Sequence, residues 1–194
     1  RGEIRESDER DNVVEVPLKI VGPLPDLTIP LLNIIAPGDP PTVAIGTSVP
    51  IFFLIFNQGI GRADPATYEI ALSFTITVGP LPIQLKASLF REKTGTISPG
   101  RSIPVLKAIQ IPPTISVPGL FLPIPVPPGP AEIIVTADSE KTNQELDEDN
   151  NTASAPLLLV PPISSLQATK LQHSSPSLAR ERCRTDGLIP MRAP

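Results

Sequence analysis

This sequence predicts an all-β fold, an immunoglobulin-like antiparallel β-sandwich of about seven strands, on three observations. Proline supplies 27 of the 194 residues. That is nearly three times the ordinary level of about 5%, and it breaks helices, so bundles and coiled coils are excluded. Hydrophobic residues make up 40% of the chain, enough for one core. They fall into short runs punctuated by Gly, Pro, Asn and Asp, the spacing of sandwich strands and their turns. Glycine has no triplet period, which excludes a collagen.

The strands are expected at about 26–35, 48–57, 67–78, 83–90, 101–111, 131–138 and 151–160. Gly38-Asp39-Pro40-Pro41 breaks the chain after the first, and Asn57-Gln58-Gly59-Ile60-Gly61 ends the second. Gly79-Pro80 ends the third, and Ser98-Pro99-Gly100 precedes the fifth. Pro112-Pro113 ends the fifth, and Pro127-Pro128-Gly129-Pro130 introduces the sixth. Asp138-Ser139-Glu140 closes the sixth. Pro50 and Pro104 lie near strand starts, where a missing N–H is tolerated. Val49 to Phe56 is apolar at successive rather than alternate positions, which predicts a central strand covered on both faces, the outer one by the apolar loops or by another module.

Charge is mildly acidic, with 16 basic against 20 acidic residues, so there is no basic footprint for nucleic acid. No apolar run reaches the roughly 18 residues of a membrane span. A single cysteine forms no internal disulfide and no cysteine-rich metal site. The chain begins at Arg1, so it reads as a fragment whose compartment cannot be taken from a leader. One histidine, His173, lies in a polar tail beside Ser174 and Ser175 with no framework for a catalytic triad. Cys183, among Arg180, Arg182 and Arg184, reads as an incidental tail thiol.

An internal repeat organises the chain. Glu6-Ser7-Asp8-Glu9-Arg10-Asp11-Asn12 returns as Glu145-Leu146-Asp147-Glu148-Asp149-Asn150-Asn151 with four of seven residues identical. In the same register Pro17-Leu18 meets Pro156-Leu157, and Val21 meets Val160. Both acidic segments run into an apolar strand-like stretch. Residues 1–22 are therefore expected to be the C-terminal end of a preceding repeat. Residues 25–160 would be a complete sandwich, and 161–194 a linker and disordered tail.

The order of these signals resembles one family. Asp26-Leu27-Thr28-Ile29 after Pro25, Asn57-Gln58-Gly59, Ser98-Pro99-Gly100, and Ala137-Asp138 running into Glu145 to Asn151 look like the CARDB domain, the cell-adhesion-related domain found in bacteria. The resemblance implies an immunoglobulin-like sandwich in tandem arrays on secreted or surface proteins, and no catalytic residues. Against that pattern, segments 79–87 and 112–130 read as insertions.

Two features are candidate sites. Asp138, Glu140, Asp147, Glu148 and Asp149 form an oxygen-rich cluster that could hold calcium; its spacing is not that of an EF-hand. The competing reading is a solvated hairpin in which Asp138 and Asn151 close turns through their side chains. No other cofactor is expected. Leu120, Phe121 and Leu122 lie in an apolar loop that is expected to share one sandwich end with the 79–83 turn. They are the candidate partner contact; the alternative is that the loop covers the sandwich end or pairs as a two-stranded arm. Asn150-Asn151-Thr152 also fits a glycosylation sequon.

The functional expectation is a non-catalytic, extracellular or cell-surface adhesion module. It would space or dock neighbouring repeats or other surface proteins. The alternatives are an accessory module of a secreted protease or glycosidase, or a calcium- or ligand-binding domain.

Overall fold

The computed structural model describes residues 22–116 and 123–162. The strands are β1 (Leu27–Ile34), β2 (Thr42–Ala44), β3 (Ser48–Asn57), β4 (Thr67–Val78), β5 (Leu81–Lys93), β6 (Ser102–Gln110), β7 (Thr114–Ile115), β8 (Ile124–Pro125), β9 (Gly129–Thr136) and β10 (Thr152–Val160). They form a three-stranded sheet, β1-β3-β6, and a five-stranded sheet, β2-β10-β9-β4-β5, with β7 and β8 paired as a small arm. The chain is an all-β sandwich.

Alternation builds the core. Leu27, Ile29, Ile51, Phe53, Ile55, Val105 and Ile109 from one sheet meet Tyr68, Ile70, Leu72, Phe74, Ile133, Val135, Leu157 and Leu159 from the other. Period-2 burial of this kind fixes register, because a one-residue slip would turn every core side chain outward. Aromatic rings join the sheets. Phe53 meets Tyr68 edge-on at 5.4 Å, and Tyr68 lies 6.2 Å from Phe90. The Tyr68 hydroxyl, at the margin of the core, donates to Glu92, and Glu92 also holds Lys107 at 2.7 Å.

Three expectations change. Pairing is not wholly antiparallel: β2 runs parallel to β10, Thr42 to Ala44 against Leu158 to Val160. The strand expected from 83 begins at Leu81, so segment 79–87 is the turn and first half of β5, paired with β4 from Val78–Leu81 to Thr67–Lys93. The β3 strand is central, yet only Val49, Ile51, Phe53, Ile55 and Asn57 are buried, while Phe52, Leu54 and Phe56 stay partly exposed on the outer face. The strand buried on both faces is β4, from Thr67 through Phe74. Its outer-face Glu69 is held by Arg91 at 2.7 Å and Lys86 at 3.9 Å. Burial works against that carboxylate's charge, but hydrogen bonds from Ser88 and Arg91 outweigh it and hold Glu69 below its ordinary range.

Antiparallel register assigns every strand terminus to one of two ends. The start of β1, the end of β3, the start of β4, the end of β9 and the start of β10 lie together, through Leu27–Asn57, Thr67–Lys93 and Thr152–Thr136. This is the incoming end. The end of β10 lies with the start of β9, through Leu159–Gly129, and with the β4–β5 turn at the outgoing end. The described chain thus comes in at one end of the sandwich and leaves at the other.

Candidate functional site: a clamp at the incoming end

Residues 22–26 are built into the sandwich rather than laid over it. The Gly61 amide donates to the Leu24 carbonyl at 2.8 Å, the Leu146 amide to Pro25 at 2.9 Å, and the Gln58 amide to Asp26 at 2.8 Å. Gly59 and Gly61 permit this approach. A Cβ on Gly61 would stand 2.2 Å from the Pro23 carbonyl oxygen, and one on Gly59 2.6 Å from the Asp26 nitrogen. The glycines are required here by proximity, not by turn conformation.

Asn57, fully buried at the end of β3, ties the clamp together. Its Oδ1 accepts from the amides of Asp26 and Gly59, both at 3.1 Å. Its Nδ2 donates to the carbonyls of Gly61 at 2.8 Å and Ile97 at 2.9 Å. One side chain thus satisfies four backbone groups drawn from three segments, using the full donor and acceptor capacity of an amide. Asp26 is held in turn by Gln58 Nε2 at 3.0 Å and Asn150 Nδ2 at 2.8 Å. The Asn150 amide of the sequon is therefore committed to Asp26.

The acidic segment closes the clamp from the other side. Asp138 is buried with φ at 43°, and Lys141 follows at 52°, left-handed conformations that non-glycine residues adopt at a cost. Four donors offset that cost. Asp138 accepts from the Thr142 amide and hydroxyl at 2.8 and 2.7 Å, and from the Asn143 amide and Nδ2 at 2.7 and 3.2 Å. Burial opposes its charge, but these bonds prevail and hold its pKa below the usual value. Asn143 then accepts from the Asp64 amide at 2.8 Å, pinning the loop to the segment before β4.

Glu145 reaches deepest. It is 6% exposed and accepts from the Leu27 amide at the first residue of β1, and from Asn151 Nδ2 at 2.9 Å. Burial pushes its carboxyl up to about 7, helped by the charges of Asp138 and Glu148 and only partly offset by the two hydrogen bonds. The sign follows directly. A carboxyl whose folded pKa lies above its unfolded one stabilises the fold fully below about 4.5, and that contribution fades as pH rises through about 7. Asp138 and Glu69, shifted down, act only below the ordinary carboxylate range. Between pH 5 and 7.5 the unfolding free energy should therefore fall by about 2 kcal/mol, and Glu145→Gln should flatten that slope. Urea titrations at four pH values check this; an unchanged slope in the variant contradicts it.

The candidate calcium ligands do not converge. Asp138 is saturated as described. Glu140 accepts from the Thr67 hydroxyl at 3.0 Å, and Asp147 from the Asp149 amide at 3.0 Å. Glu148 accepts from the Glu145 amide at 3.1 Å and faces Lys141 at 3.8 Å. Among the described residues no group of three or more His, Cys, Asp or Glu side chains is placed to hold a metal ion. The melting temperature should accordingly be the same with and without millimolar calcium; a rise of several degrees would show a site that this geometry does not display. Leu120, Phe121, Leu122, His173 and Cys183 lie outside the described residues. Asn57, Asp26 and Glu145, which were not among the candidate site residues, carry the clamp. Their one signal was a place among the residues that carried the family resemblance.

No family model matches the chain, and no curated protein matches it. Among solved structures it is similar to the CARDB domain of a Pyrococcus furiosus protein, solved in complex with di-metal ions. The identity is 16%, the TM-score 0.46, and the match covers 74% of this chain and 95% of that one. A domain assigned to a cell surface protein of Methanosarcina acetivorans is 18% identical, with a TM-score of 0.45 over 71% of this chain and 93% of that one. A Listeria innocua β-glucosidase in complex with glucose is 13% identical, with a TM-score of 0.44, and the match spans 72% of this chain but 16% of the enzyme. The structures this chain is similar to thus include CARDB domains and a minor part of a much larger enzyme.

Proposed function

We propose that this chain is a non-catalytic module of a repeat array on a secreted or cell-surface protein, where it spaces, presents or docks neighbouring domains. The observation that carries the reading is the placement of the incoming and outgoing chain at opposite ends of the sandwich, with the incoming segment clamped into the fold. The internal repeat adds to it. Val21 stands where Val160 stands one repeat later, so Gly22 to Asp26 would be the whole link between consecutive sandwiches, and Leu24, Pro25 and Asp26 are already bonded within the second. So short a link cannot let one unit fold back alongside the next. The partners in this reading are neighbouring repeats or other surface proteins.

The test is a tandem in which Val160 of one copy continues into Gly22 of the next, preserving the repeat register. Strands of about ten residues make each sandwich some 35 Å long before loops. Small-angle scattering should show the maximum dimension of the tandem close to twice that of the single unit. A folded-back, compact tandem overturns the reading, as does a catalytic domain joined directly to this one in the parent protein. Extracellular placement is tested separately, by whether protease added to intact cells cleaves the parent.

A further inference from the structure

The outer face of the three-stranded sheet is apolar, unlike that of the five-stranded sheet. Register places four cross-strand rows on it, with the polar pair Ser48–Gln110 beyond them at one margin: Thr28–Phe56–Ser102, Leu31–Leu54–Pro104, Asn33–Phe52–Leu106 and Pro50–Ala108. Ile35 extends the last row, its amide bonded to the Pro50 carbonyl at 2.9 Å. No position on these rows is charged, and nine of the twelve are apolar. Leu31, Ile35 and Leu106 are 44%, 51% and 63% exposed. The outer face of the five-stranded sheet carries Glu69, Lys86, Arg91 and Glu132 instead. A one-sided antiparallel sheet alternates apolar-in and polar-out. The five-stranded sheet obeys that rule, and the three-stranded one breaks it.

We propose that this face is a dimerisation surface whose occupant is a second copy of the same chain, the two three-stranded sheets packing face to face. Three observations select a second copy. A two-fold contact sets the patch against itself, so a charge on it would be buried against the apolar patch of the other copy or, on the axis, against its own image; this patch has none. Both partners are sheets with a regular apolar pleat, and such faces pack about 10 Å apart with side chains interleaved. Three strands about 4.8 Å apart and four rows about 6.7 Å apart give roughly 400 Å² in projection per copy. That matches the largest apolar patches on monomers, which are often functional. Mutual burial of two such faces is about 800 Å² in projection, and the relief of the side chains with contacts at the rim brings it toward the roughly 1,200 Å² at which specific pairs begin.

Sedimentation velocity on the full chain, under reductant and from about 1 to 200 μM, tests this. The wild type should pass from monomer to dimer within that range. Leu31→Glu and Leu106→Glu each place two carboxylates across the dyad, and each should weaken dimerisation by about a hundredfold or more. Because both side chains are already exposed, thermal melts of these variants should match the wild type, separating lost association from lost folding. A wild type that stays monomeric at 200 μM overturns the proposal, as do variants that dimerise like the wild type. Leu31 and Leu106 methyl signals shielded from a soluble paramagnetic agent in a monomer would also overturn it, because another part of this chain would then cover the face.

Discussion

Asn57→Leu should cost about 4 kcal/mol of folding free energy, the largest effect of any single change in the clamp. Leucine keeps the volume but none of the hydrogen bonds. The amides of Asp26 and Gly59 and the carbonyl of Gly61 would each lose the Asn57 partner shown in the structure, while Ile97 O keeps the Ala63 amide at 2.9 Å. An orphaned buried backbone group costs about 1–3 kcal/mol, and some relief comes from water near the sandwich end. The urea midpoint should fall with the slope unchanged, the mark of a native-state effect. A loss below about 1 kcal/mol would mean that these four bonds do not organise the incoming end.

Gly61→Ala should cost about 3 kcal/mol although it adds one methyl group. That methyl would stand 2.2 Å from Pro23 O and 2.6 Å from Leu24 C. Both obstacles are backbone, so no side chain can swing away, and the incoming segment itself must move. For a domain of this size the melting temperature should drop by roughly 10 °C. Gly95→Ala is the matched control, because its Cβ would meet nothing within 4 Å; it should change stability by less than about 0.5 kcal/mol. If both glycines respond alike, loss of glycine flexibility rather than close approach explains the effect.

The strands were legible because their boundaries are chemical. Gly79-Pro80 does turn β4 into β5, and Pro112-Pro113 does stop the chain after β6. Short β2 carried no local signal; its three residues are strand only because β10 lies alongside. The β3 run was read correctly as a central strand. A continuous apolar run implies two covered faces; among the described residues Phe52, Leu54 and Phe56 stay partly exposed, which leaves that outer face for another module. The β4 strand hid its double burial behind Thr67, Glu69 and Ser73, polar residues accommodated by Glu140 for Thr67, by Arg91 and Lys86 for Glu69, and by Gln84 for Ser73. In the acidic segment, Asp138 closes its turn through its side chain as expected, but the burial of Glu145 was missed because a run of charges looks uniformly solvated. Asp138 and Glu145 within it are buried acceptors for the backbone and side-chain donors around them, and only the folded register reveals which members turn inward.

The central claim is that the incoming segment is part of the sandwich and fixes where the chain enters it. Amide hydrogen exchange on the full chain reads this directly at Leu27, Gly61 and Leu146, whose N–H groups bond to Glu145, Leu24 and Pro25. The account predicts that all three exchange as slowly as core amides of β3 and β9, opening only with global unfolding. Exchange at these three amides near the free-chain rate, with the core still protected, would contradict it.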